Sequence, residues 1–148
     1  MSNRLYAVML PNRTVNLMYL EMEVPLSAFR WEGKTHMLKA FKDTWTMLDE
    51  DKYVDPQTTP MFHMYCCSKR ASESKYDPFN RTVSKMGLYV KIKEEGFDHT
   101  KHQRMTCSFM DPGFNIRNGH HRLSMVQHWG KPDPLTILVK TPEKRRKN

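Results

Sequence analysis

Met105-Thr106-Cys107-Ser108-Phe109-Met110-Asp111-Pro112-Gly113-Phe114-Asn115-Ile116-Arg117-Asn118-Gly119 reads as a strand, a tight turn and a second strand. Met105, Cys107 and Phe109 alternate with Thr106 and Ser108, and Phe114 and Ile116 alternate with Asn115 and Arg117. That period of two is the signature of half-buried strands, and Asp111-Pro112-Gly113 supplies the turn. Asn118-Gly119 ends the second strand, and His120-His121-Arg122 opens a helix with Leu123, Val126 and Trp129 on one face. Gly130 stops that helix, Lys131–Pro134 turns the chain, and Leu135–Val139 is a short buried strand.

Upstream, Val83, Met86, Val90 and Lys93 fall at helical spacing, with Gly96 where a C-cap belongs. Residues 51–80 are the least regular, with Pro56, Pro60 and Pro78, a polar segment Ser68–Lys75 and one apolar piece, Met61–Cys67. Met37, Leu38, Phe41, Trp45 and Leu48 predict a core-packed helix capped by Thr35 and closed by an exposed Asp49-Glu50-Asp51. Leu5–Leu10 and Val15–Val24 predict a hairpin across Pro11–Thr14.

The chain has 148 residues, which fits one domain. No apolar run approaches the ~20 residues of a membrane span. Pro11-Asn12-Arg13 cuts the first apolar segment short, against a signal peptide. Three cysteines, Cys66, Cys67 and Cys107, are an odd number with two adjacent, which argues for reduced thiols and a cytoplasmic setting. Lysine and arginine total 24 against 16 acids, a net charge of +8. Such a balance suits a polyanion partner, although solubility alone also accounts for it. The tail over residues 141–148 adds Lys144, Arg145 and Arg146, a basic segment able to rest on phosphates.

Residues 118–122 carry the chemistry. The first turn of a helix offers free N–H groups and the positive end of the macrodipole. Gly119 permits close backbone approach, Arg122 offers a planar fork, and His120 and His121 donate hydrogen bonds or shuttle a proton. Together they predict a phosphate site; the plainer alternative is three surface residues on a turn. Arg70, Lys75, Arg81, Lys85 and Arg117 extend a basic surface, and Tyr76 and Phe79 are placed to stack on a base or to anchor a loop. Lys101 and Arg104 lie with His99 and His102 in a basic loop. His63, Cys66, Cys67, His99, His102 and Cys107 include zinc-type ligands, but their spacing repeats no finger or ribbon, so no metal site is assigned.

Asn118-Gly119-His120-His121-Arg122, followed by Leu123-Ser124-Met125, Gly130 and Leu135–Val139, resembles the second signature box of the ParB/sulfiredoxin superfamily. Tyr76-Asp77-Pro78-Phe79-Asn80-Arg81 resembles that family's upstream arginine segment. The resemblance covers about residues 76–140. It implies an α+β domain of ParB/sulfiredoxin-like architecture over residues 1–148, with a small mixed sheet and packed helices, and makes 31–75 an insertion. It also implies a nucleotide or phosphate pocket using Asn118, Gly119, His120, His121, Arg122 and Arg81. Sulfiredoxin chemistry needs a cysteine where His120 stands, and few residues follow the last strand to form a DNA-binding helix-turn-helix.

The resulting expectation is a nucleotide- or DNA-phosphate-binding protein. Hydrolysis of phosphodiester or phosphoanhydride bonds would use His120 or His121 for proton transfer. One alternative is a small-molecule kinase using ATP or ADP, with Glu32 deprotonating a hydroxyl; the other is a non-catalytic nucleic-acid-binding regulatory module. Mg²⁺ with a nucleoside triphosphate or diphosphate is the implied cofactor. Nucleic-acid contacts are assigned to Lys101, Arg104, Arg117, Lys144, Arg145 and Arg146. A membrane partner is not expected, and the short, basic, Met-rich chain suits a bacteriophage or a bacterium.

Overall fold

The structure, a computed structural model, describes residues 4–9, 16–73, 75–98 and 105–140. It is an α+β protein. The chain forms two compact units: one of residues 1–31, 98–120 and 130–148, the other of residues 32–97 and 121–129.

The first unit is a six-stranded sheet. Its strands are β1 (Arg4–Met9), β2 (Asn16–Val24), β3 (Phe29–Arg30), β4 (Thr106–Met110), β5 (Gly113–Asn118) and β6 (Leu135–Lys140). They lie in the order β1-β2-β6-β4-β5-β3. The sheet is mixed: β4 runs parallel to β6 and β3 parallel to β5, while the other pairs are antiparallel. β1 and β2 pair as the expected hairpin, with Arg4 opposite Glu21 and Met9 opposite Asn16; the turn assigned to Pro11–Thr14 falls outside the described residues.

Sequence pattern follows strand position. β6 is interior to the sheet, and Leu135, Ile137, Leu138 and Val139 are all buried, three of them consecutive. That is the unbroken apolar run of a strand covered on both faces. β4 lies beside it with Met105 before it and Cys107 within it buried, but Phe109 is 56% exposed. The alternation that runs from Met105 to Phe109 therefore loses its cover at the hairpin end. Burial pushes the Cys107 thiol up to about 12, so it stays a neutral packing group. Leu26 N–H donates to Asp133 Oδ1 at 3.0 Å, joining the turn after β2 to the segment before β6.

The second unit is helical: α1 (Thr35–Glu50), α2 (Pro60–Cys66), α3 (Pro78–Glu95) and α4 (His120–Trp129), the last of these from His121 on. The segment read as an insertion, 31–75, supplies α1 and α2. Thr35 is not the cap of α1; it is the first helical residue, and Lys34 at the cap position gives no side-chain bond. α2 occupies the stretch read as irregular, because Thr59 Oγ1 accepts from Phe62 N–H at 3.1 Å and Pro60 follows it.

The span of α3 agrees with the sequence pattern, but its inward face does not. Thr82, Tyr89 and Ile92 are buried, whereas Val83 and Val90 are 43% and 44% exposed. Periodicity marks a face without saying which side meets the core. Thr82 is tolerated inside because its hydroxyl donates to Pro78 O at 2.7 Å.

The helical core combines aromatic stacking with satisfied polar groups. Trp45 lies parallel to Tyr89, with centroids 4.7 Å apart. Trp45 Nε1–H donates to Ser124 Oγ at 2.9 Å, and Ser124 Oγ–H donates to His121 O at 2.5 Å. Thr44 Oγ1 donates to Ala40 O and accepts from Met61 N–H, an otherwise free donor in the first turn of α2. Asp49, expected only to mark an exposed helix end, is a hub. It accepts from Tyr89 OH at 2.7 Å and Lys93 Nζ at 2.6 Å, and pairs with His128 Nε2 at 2.8 Å. Burial pushes its pKa up, but the bonds from Lys93, His128 and Tyr89 outweigh this and hold it at about 2.

Candidate functional site

Three cations gather in the helical unit. Asp77 caps α3, its Oδ1 accepting from Phe79 N–H and Asn80 N–H, with Pro78 in the first turn. That start sets Arg81 and Lys85 four residues apart on one helix face. Arg122, in the first turn of α4, is the third. Burial lowers the Lys85 pKa, and the charges of Arg81 and Arg122 lower it further. Burial also lowers the Arg122 pKa. Among the described residues, none of the three has an ion pair with a carboxylate. The Nε atoms of Arg81 and Arg122 are buried and have no hydrogen-bond partner. Cations held together without an acid are costly, and an anion brought among them lowers that cost.

Arg81 also belongs to a cavity of about 570 Å³ in the same unit. One part of its lining is apolar, with Met37, Ala40, Pro60 and Met64; another holds Arg70, Arg81, Tyr65 and Tyr76. This volume falls within the range of small-molecule sites. The Arg81 guanidinium lies over the Tyr65 ring at 5.0 Å and the Tyr76 ring at 5.9 Å. Arg70 lies over Tyr76 at 5.3 Å and faces Glu73 at 3.6 Å. These contacts orient both arginines by their flat faces. The lining includes no carboxylate.

His121 is held beside this cavity. Its Nε2 is hydrogen-bonded to the Tyr65 hydroxyl. Its ring packs 4.5 Å from Phe41. Burial raises the Tyr65 pKa, against the opposing charge of Arg81, and keeps the phenol neutral. The chain His121, Tyr65, Arg81 therefore links the first turn of α4 to the cation cluster.

The five residues read as a box are divided. Asn118, Gly119 and His120 belong to the sheet unit, and His121 and Arg122 to the helical one. Gly119 has φ +101°, and a Cβ there would sit 2.4 Å from Met105 Cγ. The close approach that requires glycine here is that of the buried Met105. His120 meets Trp31 edge-on, with ring centroids 5.6 Å apart. Glu32 is exposed in the turn after β3. Arg117 is exposed on β5 and donates to Ser108 Oγ at 3.1 Å. Lys101, Arg104, Lys144, Arg145 and Arg146 fall outside the described residues, as do His99 and His102. Phe79, considered for base stacking, is exposed and does not line the cavity. Among the described residues no three His, Cys, Asp or Glu side chains are grouped to hold a metal.

Sequence reasoning placed Arg70, Lys75, Arg81, Lys85 and Arg117 in a basic surface around the pocket assigned to residues 118–122, with Tyr76 set to stack on a base or anchor a loop. It missed Tyr65, whose hydrogen-bond partner is 56 residues away. The only local signal was a tyrosine within the apolar piece 61–67. No family model matches this chain, and no curated protein or solved structure matches it either.

Proposed function

We propose that this protein binds a phosphorylated small molecule, a nucleotide, with its phosphate among Arg81, Lys85 and Arg122 and its base in the adjoining cavity. The observation that carries this reading is the cation cluster without an acid, with two arginine Nε atoms buried and unpartnered. Arginine forks match phosphate oxygens, and buried donors gain most from a charged acceptor. The apolar and tyrosine lining suits the flat body of a base. The resemblance of residues 76–140 to the ParB/sulfiredoxin superfamily supports the same choice of Arg81 and Arg122. The cavity is without carboxylates, so Mg²⁺ fits here only as a companion of the ligand's phosphates.

Hydrolysis is a second reading, favoured by the His121–Tyr65 hydrogen bond beside the cluster. In it, His121 moves a proton while Arg81 and Arg122 hold the phosphate.

A thermal-shift screen tests the binding: ATP, ADP, CTP, GTP, inorganic phosphate and a DNA duplex, each with and without Mg²⁺. A ligand at about a hundred times its dissociation constant adds about 2.7 kcal/mol of stability. Stabilisation by a nucleotide is expected, with loss of binding of about tenfold or more in Arg81→Ala and Arg122→Ala. No shift with any anion, or a shift that both variants retain, overturns the proposal. Turnover lost in His121→Gln with binding kept would favour the hydrolytic reading.

A further inference from the structure

The strand registers join into a single row across the sheet. Tyr19 on β2 lies opposite Lys140 on β6, Lys140 beside Ser108 on β4, Ser108 opposite Asn115 on β5, and Asn115 beside Arg30 on β3. Residues directly across a ladder point to the same side of the sheet, so these share one face. Arg117 joins them. A register shift between Cys107 and Thr106 leaves it opposite no residue of β4, and its Nη1–H donates to Ser108 Oγ. Gly113, two residues before Asn115, carries no side chain, and the Arg30 stem lies beside the place a Cβ would take. Arg30 is thereby laid across β5.

The face is open where the cations are. Arg30 and Arg117 are exposed, Tyr19, Lys140 and Asn115 are half-buried, and Met110, two residues on from Ser108, is 54% exposed. Cover on this side of β6 reaches Leu138, which is buried, and thins at Lys140. Among the described residues, Arg30, Arg117 and Lys140 have no ion pair with a carboxylate. The strand acids of this face, Glu21 and Glu23, lie further along β2, beside Leu138 and Thr136. Asn115 Oδ1 is buried without a hydrogen-bond partner.

From Lys140 to Arg30 is three strand spacings, about 14 Å. Three cations over that distance suit successive phosphates of one strand. Tyr19 and Met110 offer surfaces for an unpaired base, and an acceptor such as Asn115 Oδ1 gains from a base N–H. A duplex shows its base edges only within grooves, which a helix or a ribbon enters and an open sheet face does not. The residues that follow Lys140 in the chain are the basic segment 141–148.

We infer that this face of the sheet binds single-stranded nucleic acid, with phosphates on Arg30, Arg117 and Lys140 and a base on Tyr19. All of these residues belong to the sheet unit, so the inference stands apart from the nucleotide reading of the helical one.

Fluorescence anisotropy of the full chain with labelled oligo(U) and oligo(dT) of about twelve nucleotides tests it over a range of salt. Binding of at least one is expected, with an affinity that falls as salt rises. Each phosphate contact on a single strand contributes about 0.7 to the slope of log affinity against log salt. Changing Arg30, Arg117 and Lys140 together to glutamine therefore removes about 2 from that slope. Tyr19→Leu weakens binding and leaves the slope as it is, because it removes no charge. Circular dichroism checks that each variant keeps the parent fold. No binding at low salt, or a slope that the triple variant retains, overturns the proposal. So does binding that is lost only when Lys144, Arg145 and Arg146 are changed to glutamine, or an oligonucleotide displaced by stoichiometric ATP. A duplex bound as tightly as the single strand overturns the single-strand assignment, and full affinity in Tyr19→Leu overturns the place of a base on Tyr19.

Discussion

The sheet unit and the helical unit use their buried residues differently. The sheet unit is filled by aliphatic side chains, methionine, a neutral thiol and the rings of Phe29 and Trp31, as in β6 and at Cys107. The helical unit buries hydroxyls and rings that hydrogen-bond across large sequence separations: Trp45 to Ser124, Tyr65 to His121, Tyr89 and His128 to Asp49. The cation cluster lies in the second environment. Buried polar networks define one arrangement sharply because each member left unpaired is costly. The cations in the helical unit are held by helices that such a network fixes, while the sheet's burial requires only shape and hydrophobicity.

The largest expected effect breaks the network at its centre. Trp45 is fully buried, stacked on Tyr89 and bonded to Ser124. Trp45→Ala is expected to cost about 3–5 kcal/mol in denaturant unfolding. A cost below that of an ordinary core leucine would show that the helical core does not depend on it. Next comes a probe of the sheet unit. Gly119→Ala forces a Cβ against Met105 at a positive φ, with an expected cost of about 1–3 kcal/mol. A neutral result would mean that Met105 moves freely, against the close packing described for β4.

Asp49 separates polar from apolar contributions. Asp49→Asn is expected to lose about 1–2 kcal/mol at neutral pH, since the carboxylate is partly in water. The folded protein holds Asp49 at about 2 against an ordinary value of 3.8. Its stabilisation is therefore present above about 4 and lost as the pH falls toward 2. The stability gap between wild type and variant should close over that range. A gap independent of pH would assign the effect to packing. The smallest effect has the opposite sign. Lys85→Gln removes one of three like charges and is expected to raise the melting temperature slightly without ligand. It should weaken nucleotide binding at the same time. A lower melting temperature would mean that Lys85 contributes to the fold rather than to the site.

Much of the architecture was legible because it rests on local pattern. The spacing of Met37, Phe41, Trp45 and Leu48 located α1, and the alternation from Met105 to Ile116 located β4 and β5. α3 shows where that legibility stops. Val83, Met86 and Val90 form a valid helical stripe, and so do Thr82, Tyr89 and Ile92. The first looks more apolar, yet the second is buried, because the Thr82 hydroxyl is satisfied within its own helix and Tyr89 reaches Asp49. In the proposed site, Arg81 and Arg122 were recognisable by residue type as side chains suited to phosphate. Tyr65 was not, because its role depends on His121 far along the chain.

What the sequence determined by itself was the α+β class, the succession of helices and strands, the excess of positive charge and the arginines suited to phosphate. Each follows from periodicity, turn chemistry or residue type, which act over a few positions. Only the tertiary structure decided the order β1-β2-β6-β4-β5-β3, the inward face of α3 and the gathering of Arg81, Lys85 and Arg122 with no ion-paired acid among the described residues. These depend on contacts between distant residues, whose energies exist only once the chain has closed on itself.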